Sequence, residues 1–181
     1  MNIIEVINEN AQVIGQDTRE NIHKHGLLHM EVHVWFYTSK NELIFQLRAK
    51  NKETFPNLLD ATVGGHVEIG DDYIKTALKE TFEETGILVK KDGLKFITNL
   101  RKDAKDSVTG MHNNVIRAIF AYEYNDSLND LKIEDNEGQG FEAWSINKLV
   151  NNLITEVERK KFIPSIIDNE YLDIFKKIRR L

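Results

Sequence analysis

Apolar and polar positions alternate with a period of two from His29 to Tyr37, where Met30, Val32, Val34 and Phe36 stand against His29, Glu31, His33 and Trp35. Such alternation in a run of strand formers predicts a β-strand with one polar face. Ser39, Lys40 and Asn41 read as a turn, and Glu42 to Arg48 as a second strand paired with the first in a hairpin. Ala49 to Asn57 is polar, basic and closed by Pro56, which makes it a loop. Asp60 to Val63 predicts a third short strand running into Gly64 and Gly65, where the missing side chains permit close backbone approach.

The period changes after Gly70. Asp71 or Asp72 can cap a helix whose buried stripe is Ile74, Ala77, Leu78, Thr81 and Phe82, with Gly86 as its C-terminal stop. Leu94 to Leu100 and Asn114 to Tyr124 read as strands, joined by a polar connection from Arg101 to Asn113. Acidic residues crowd Asp126 to Glu137, and after Gly138-Gln139-Gly140 a short strand, Phe141 to Ser145, leads into a helix from Ile146 to Asn152. Thr155 to Ile167 and Tyr171 to Leu181 look helical, the second with Tyr171, Ile174, Phe175 and Ile178 at helical spacing. Ile3 to Ile14 forms a short hairpin or an irregular arm. These elements predict a mixed α/β domain of the α+β kind, with a central sheet packed between helices. Residues 1–28 would be an arm or hairpin joining the domain, 29–152 its main body, and 153–181 a helical extension of the same domain.

The predicted helix places Glu80, Glu83 and Glu84 at i, i+3 and i+4, so their carboxylates emerge within about one turn. The ordinary explanation for such a cluster is a solvated helix face; the alternative is that a hard divalent cation, most naturally Mg²⁺ with Mn²⁺ as a substitute, relieves the mutual repulsion of three carboxylates. The net charge of −5, without a basic block, gives no grip on nucleic acid. No apolar run approaches the roughly 20 residues that span a bilayer, so no membrane partner is expected. The first residues lack a basic segment followed by an apolar one, and a cytoplasmic location is the expectation. The absence of cysteine excludes disulfides, thiolate metal sites and cysteine nucleophiles.

Residues 65 to 87 resemble the signature of Nudix hydrolases: Gly, five residues, Glu, seven residues, Arg-Glu, an aliphatic, any residue, Glu-Glu, any residue, Gly, an aliphatic. Gly65, Glu80, Glu83, Glu84, Gly86 and Ile87 fall on that pattern, while Asp71, Lys79 and Thr81 stand where Glu, Arg and an aliphatic are expected. From Ile4 to Asn152 the chain also looks like the branch related to isopentenyl-diphosphate isomerase, through GLLHMEVHVWFY, RAKNKETFPNLLD and GGHVEIG.

The resemblance implies a Mg²⁺-dependent hydrolase that cleaves a diphosphate bond in a nucleoside diphosphate linked to another group, or in a related diphosphate metabolite. It implies a metal shell of Glu80, Glu83, Glu84 and the Gly65 carbonyl, with Glu83 or Glu84 as general base, Glu142 as the outside candidate, and Arg48 and Lys52 on the diphosphate. Asp71 and Lys79 would hold the loop to the helix. His25, His29 and His66 match places where the isomerases bind a metal, whereas Gly64 stands where they carry a cysteine. An isomerase and an inactive diphosphate-binding module are the alternatives. The C-terminal helices have room to dock on a second subunit, giving a homodimer.

Overall fold

A computed structural model describes residues 3–107 and 109–181. The chain opens with an antiparallel hairpin, β1 (Ile3–Ile7) and β2 (Val13–Thr18), then α1 (Arg19–His25). Next come β3 (His29–Tyr37), β4 (Glu42–Arg48), β5 (Leu59–Asp60), β6 (Val63–His66) and α2 (Tyr73–Thr85). The second half holds β7 (Lys95–Lys105), β8 (His112–Glu123), β9 (Gly138–Ser145), α3 (Ile146–Val150), α4 (Glu156–Arg159) and α5 (Asn169–Ile178). Seven strands form one mixed sheet in the order β5-β4-β3-β8-β7, with β6 added to β3 and β9 to β4; β3 and β8 run parallel. No helix among the described residues is long and apolar enough to cross a membrane.

The period-two pattern of β3 sorts its side chains to two cores. Val32, Val34 and Phe36 pack with Ile44, Val63, Ala77 and Phe120 on the α2 side, while Trp35 and Tyr37 pack with Phe45, Phe162, Tyr171 and Phe175 on the other. The apolar face of α5 is thus used within the chain: Tyr171 and Phe175 stand 5.8 and 4.9 Å, centroid to centroid, from Trp35.

Four expectations change. The supposedly polar face of β3 is buried: His33 meets Tyr171 of α5, Glu31 pairs with Arg117, and His29 packs against the rings of His23 and His66. The connection Arg101 to Asn113 is mostly ladder, paired to Lys105–His112, a ribbon with no apolar face to give it a period. Thr155 to Ile167 is not one helix: Pro164 biases Ile163 to extended angles, and the chain bonds both ways with Leu59 before a turn of 3₁₀ helix. On α2, Thr76, Ala77, Thr81, Glu84 and Thr85 are buried while Phe82 is half exposed. The hydroxyls of Thr81 and Thr85 donate to Ala77 and Thr81 carbonyls, each at 2.6 Å, which lets polar residues line the buried stripe.

Candidate active site and metal centres

Helix α2 is anchored at both ends. The Asp72 carboxylate caps it by accepting from Lys75 N at 2.7 Å, and Gly86 closes it at φ 72°, where a side chain would be strained. β6 runs antiparallel to β3 with Gly65 opposite Val32, so Gly65 faces the helix. A Cβ on Gly65 would fall 2.4 Å from Cγ and Cδ of Glu80, so only glycine lets that carboxyl lie on the strand backbone. Glu84 is buried; its Oε2 accepts from Gln46 Nε2 at 2.8 Å and its Oε1 from the Gly64 amide at 3.2 Å. Glu83 is exposed beside them.

Burial pushes the Glu84 carboxyl well above the usual carboxylate range. Burial, and then the negative charge of Glu83, takes Glu80 up to about 7. A divalent cation among these oxygens would reverse that penalty. The donor set, all hard oxygen and packed against a carbonyl-bearing glycine, fits Mg²⁺ or Mn²⁺. Gly65→Ala is therefore expected to displace Glu80 and weaken Mg²⁺ activation by about 10–100-fold, the range for disturbing a ligand's support. A Mg²⁺ titration of turnover checks this, and an unshifted activation curve would count against the close packing.

The other predicted residues are placed variously. Lys79 pairs with Glu68 at 2.9 Å and Asp71 with Lys75, two contacts within the stretch that leads from loop to helix. Arg48 donates to Asp60 Oδ2 and to the Thr54 carbonyl, both at 3.0 Å, and Lys52 pairs with Glu137. Glu142 is not brought to the carboxylate cluster. It pairs with Phe45 in the ladder, so it faces away from α2, and it accepts from Trp144 Nε1 at 3.1 Å. Glu134, whose carboxyl is raised by burial and then by Glu137 and Glu83, borders the cluster instead. Gln46 stands on the α2-facing side of β4 with Ile44, and no spacing in the sequence pointed to it as the partner of Glu84.

A second group of donors lies on the opposite side of β6. His23, His29 and His66 each offer a ring nitrogen within 4.8 Å of the others. His25 is exposed: two residues along a helix turn a side chain through about 200°, and His23 faces inward in its place. Nε2 of His66 lies 3.1 Å from Nε2 of His23 and 3.2 Å from Glu31 Oε1. Glu31 is buried, its other oxygen accepting from Arg117 Nε at 3.1 Å and from Nη2; Arg117 Nη1 donates to Tyr171 Oη at 2.7 Å, and Tyr171 Oη lies 3.0 Å from His33 Nδ1. Burial alone would raise Glu31, but the guanidinium and the neighbouring imidazoles hold it well below the carboxylate range. Burial keeps His23 and His33 below the usual imidazole range and takes His66 to about 3, so these rings are neutral.

A mixed sheet with a carboxylate-bearing helix, α2, laid on the glycine of β6 is the framework of the domain. The NUDIX domain family model matches residues 27–166, and the chain belongs to that family. It is similar to the uncharacterized Nudix hydrolase YfcD of Salmonella typhi, 31% identical over 84 residues, covering 46% of this chain and 46% of that protein. It is also similar to Nudix hydrolase 3 of Arabidopsis thaliana, 25% identical over 167 residues, covering 90% of this chain and 21% of that protein. The chain thus spans less than half the length of these curated relatives. Among solved structures, DR0079 from Deinococcus radiodurans superposes with a TM-score of 0.68 at 18% identity, covering 97% of this chain and 98% of that one. A bifunctional NMN adenylyltransferase/ADP ribose pyrophosphatase from Francisella tularensis, complexed with AMP and a Mn ion, gives 0.56 at 16% identity, covering 84% and 41%.

Proposed function

We propose that this chain is a Mg²⁺-dependent hydrolase of a diphosphate bond, acting on a nucleoside diphosphate linked to another group. The observation that carries the reading is the Glu80 carboxyl resting on Gly65 beside the buried Glu84. Glu80, Glu84 and the Gly65 carbonyl would hold the cation, with Glu83 at its exposed edge. When bound, Mg²⁺ neutralises diphosphate charge and lowers the pKa of a water.

The chain's own groups supply the rest. Gln46 and the Gly64 amide each occupy one oxygen of Glu84, which fixes that carboxylate and leaves it suited to a holding role. Glu83, exposed and unencumbered by such bonds to β6, is positioned to take the proton of the attacking water. Lys52 stands near this rim and would exchange Glu137 for a phosphate oxygen, with Arg48 behind it. Nucleoside-diphosphate derivatives of the ADP-ribose kind are the substrate class we favour, since the structurally similar Francisella protein is an ADP ribose pyrophosphatase. An isomerase reading has less support: Gly64 occupies the cysteine place, and a Cβ there would come within 3.3 Å of the His33 ring.

The test is a panel of ADP-ribose, nucleotide sugars, dinucleoside polyphosphates and isopentenyl diphosphate, incubated with and without Mg²⁺ in ¹⁸O-water. Mg²⁺-dependent release of a nucleoside monophosphate, with label in one phosphoryl product, is expected. Turnover confined to isopentenyl diphosphate, or none on any compound, would overturn the reading.

A further inference from the structure

We propose that the ring of Phe55 is the platform on which this chain seats the base of its substrate, which makes Phe55 a specificity-determining residue. The inference rests on the reading of the chain as a hydrolase of nucleoside-diphosphate derivatives, and adds what recognises the nucleoside.

Phe55 lies in the loop between β4 and β5 with its backbone at φ 50°. That is the left-handed region, where a bulky side chain is an outlier. Among the described residues, the other non-glycine positions at positive φ are asparagines, which tolerate it, and Ala11. The residue before a proline is also driven toward extended angles, and Phe55 precedes Pro56. Two backbone preferences are overruled at this one position.

Hydrogen bonds hold the loop on both sides of the ring. Arg48 donates from Nη2 at 3.0 Å and from Nε at 3.3 Å to the carbonyl of Thr54. Beyond the ring, Gln139 Nε2 donates to Asn57 Oδ1 at 2.9 Å, and the Arg48 amide donates to the Leu58 carbonyl at 3.0 Å. The strain brings no return in packing. Phe45 and Trp144 stack on Phe162 at 5.1 and 4.8 Å, whereas Phe55 is 37% exposed, belongs to neither apolar core and stacks on no described ring. Strained backbone of this kind persists where a site needs a group displayed.

The neighbours of the ring point to its ligand. Lys52 is three residues earlier, so the two Cα atoms lie within about 11 Å of each other, a distance that one nucleotide covers from phosphate to base. The Arg48 guanidinium, which would stand behind the diphosphate, is the group that fixes the Thr54 carbonyl. A bare aromatic face beside two cations suits an aromatic base joined to phosphate. Every base has a π-face, so the platform demands a base without choosing strongly among them.

The experiment measures binding of AMP, GMP, UMP and ribose 5-phosphate to the full chain in Mg²⁺ by calorimetry, with KM and kcat on ADP-ribose beside it. Phe55→Ala is expected to weaken the three nucleotides by about 5–150-fold and raise KM in step, with kcat and ribose 5-phosphate affinity unchanged. Phe55→Trp should restore nucleotide affinity. Phe55→Gly, which relieves the backbone, should keep or raise Tm while losing nucleotide affinity as Phe55→Ala does. No AMP binding by the unaltered chain, AMP affinity unmoved in Phe55→Ala, or equal losses for AMP and ribose 5-phosphate would each overturn the proposal. So would a fall in Tm in Phe55→Gly, which would make the ring a packing group. Failure of the hydrolase reading shows separately, as absence of turnover in the unaltered chain, and Phe55-dependent AMP binding would stand without it.

Discussion

Replacing Glu84 with glutamine is expected to lower kcat/KM for Mg²⁺-dependent hydrolysis by at least about a thousandfold, or ~4 kcal/mol, while the protein still folds. The two halves of that expectation have separate causes. Burial already favours the protonated, neutral form of Glu84 in the metal-free protein, and glutamine resembles that form. Gln46 can turn its amide so that its oxygen meets the new NH₂, and the Gly64 amide keeps an oxygen to donate to. What glutamine lacks is the negative charge that a cation requires. Kinetics beside thermal melts check this; activity retained within tenfold would remove Glu84 from the metal shell.

Arg117→Leu should produce the largest loss of stability, about 3–5 kcal/mol, because it strands Glu31 as a buried charge. In a chain of this size that corresponds to a fall in Tm of roughly 6–20 °C. The pH dependence follows from the depressed carboxyl of Glu31. A folded pKa below the unfolded one contributes stability that is present above the ordinary carboxylate range and is lost as pH falls through the folded value. In the variant that contribution is gone and Glu31 favours its protonated form, so the gap in Tm between the two proteins should narrow on acidification below the carboxylate range. Adding Glu31→Gln to Arg117→Leu should recover much of the loss. A single variant within about 1 kcal/mol of the parent would show that water, not Arg117, compensates Glu31.

Much of this was legible from residue spacing. The period of β3, the turn at Asn41, the cap at Asp72 and the stop at Gly86 are local effects, and local chemistry states them plainly. The carboxylate helix was legible because its ligands sit within one turn of each other. What could not be read depends on pairing at a distance. Whether His23 or His25 faces inward is decided by the pose of α1 against β3, and the sequence around each is equally polar. Glu142 seemed available until β9 took its register against β4, which turned Phe141 toward α2 and Glu142 away. Glu31 and His33 look like part of a solvent face until Arg117, on β8, and Tyr171, at the far end of the chain, are found covering them.

The four residues of β6 also carry a consequence for how this fold can vary. Gly65 and His66 serve opposite sides of one strand, and their assignments depend on a single register against Val32 and Glu31. A slip of one residue that put the His66 imidazole against Glu80 would put Val67 among the histidines, undoing both arrangements together. The chemistry on the two faces is therefore not independently adjustable: a length change in the segment leading into β6 is constrained twice, whichever site it was meant to alter.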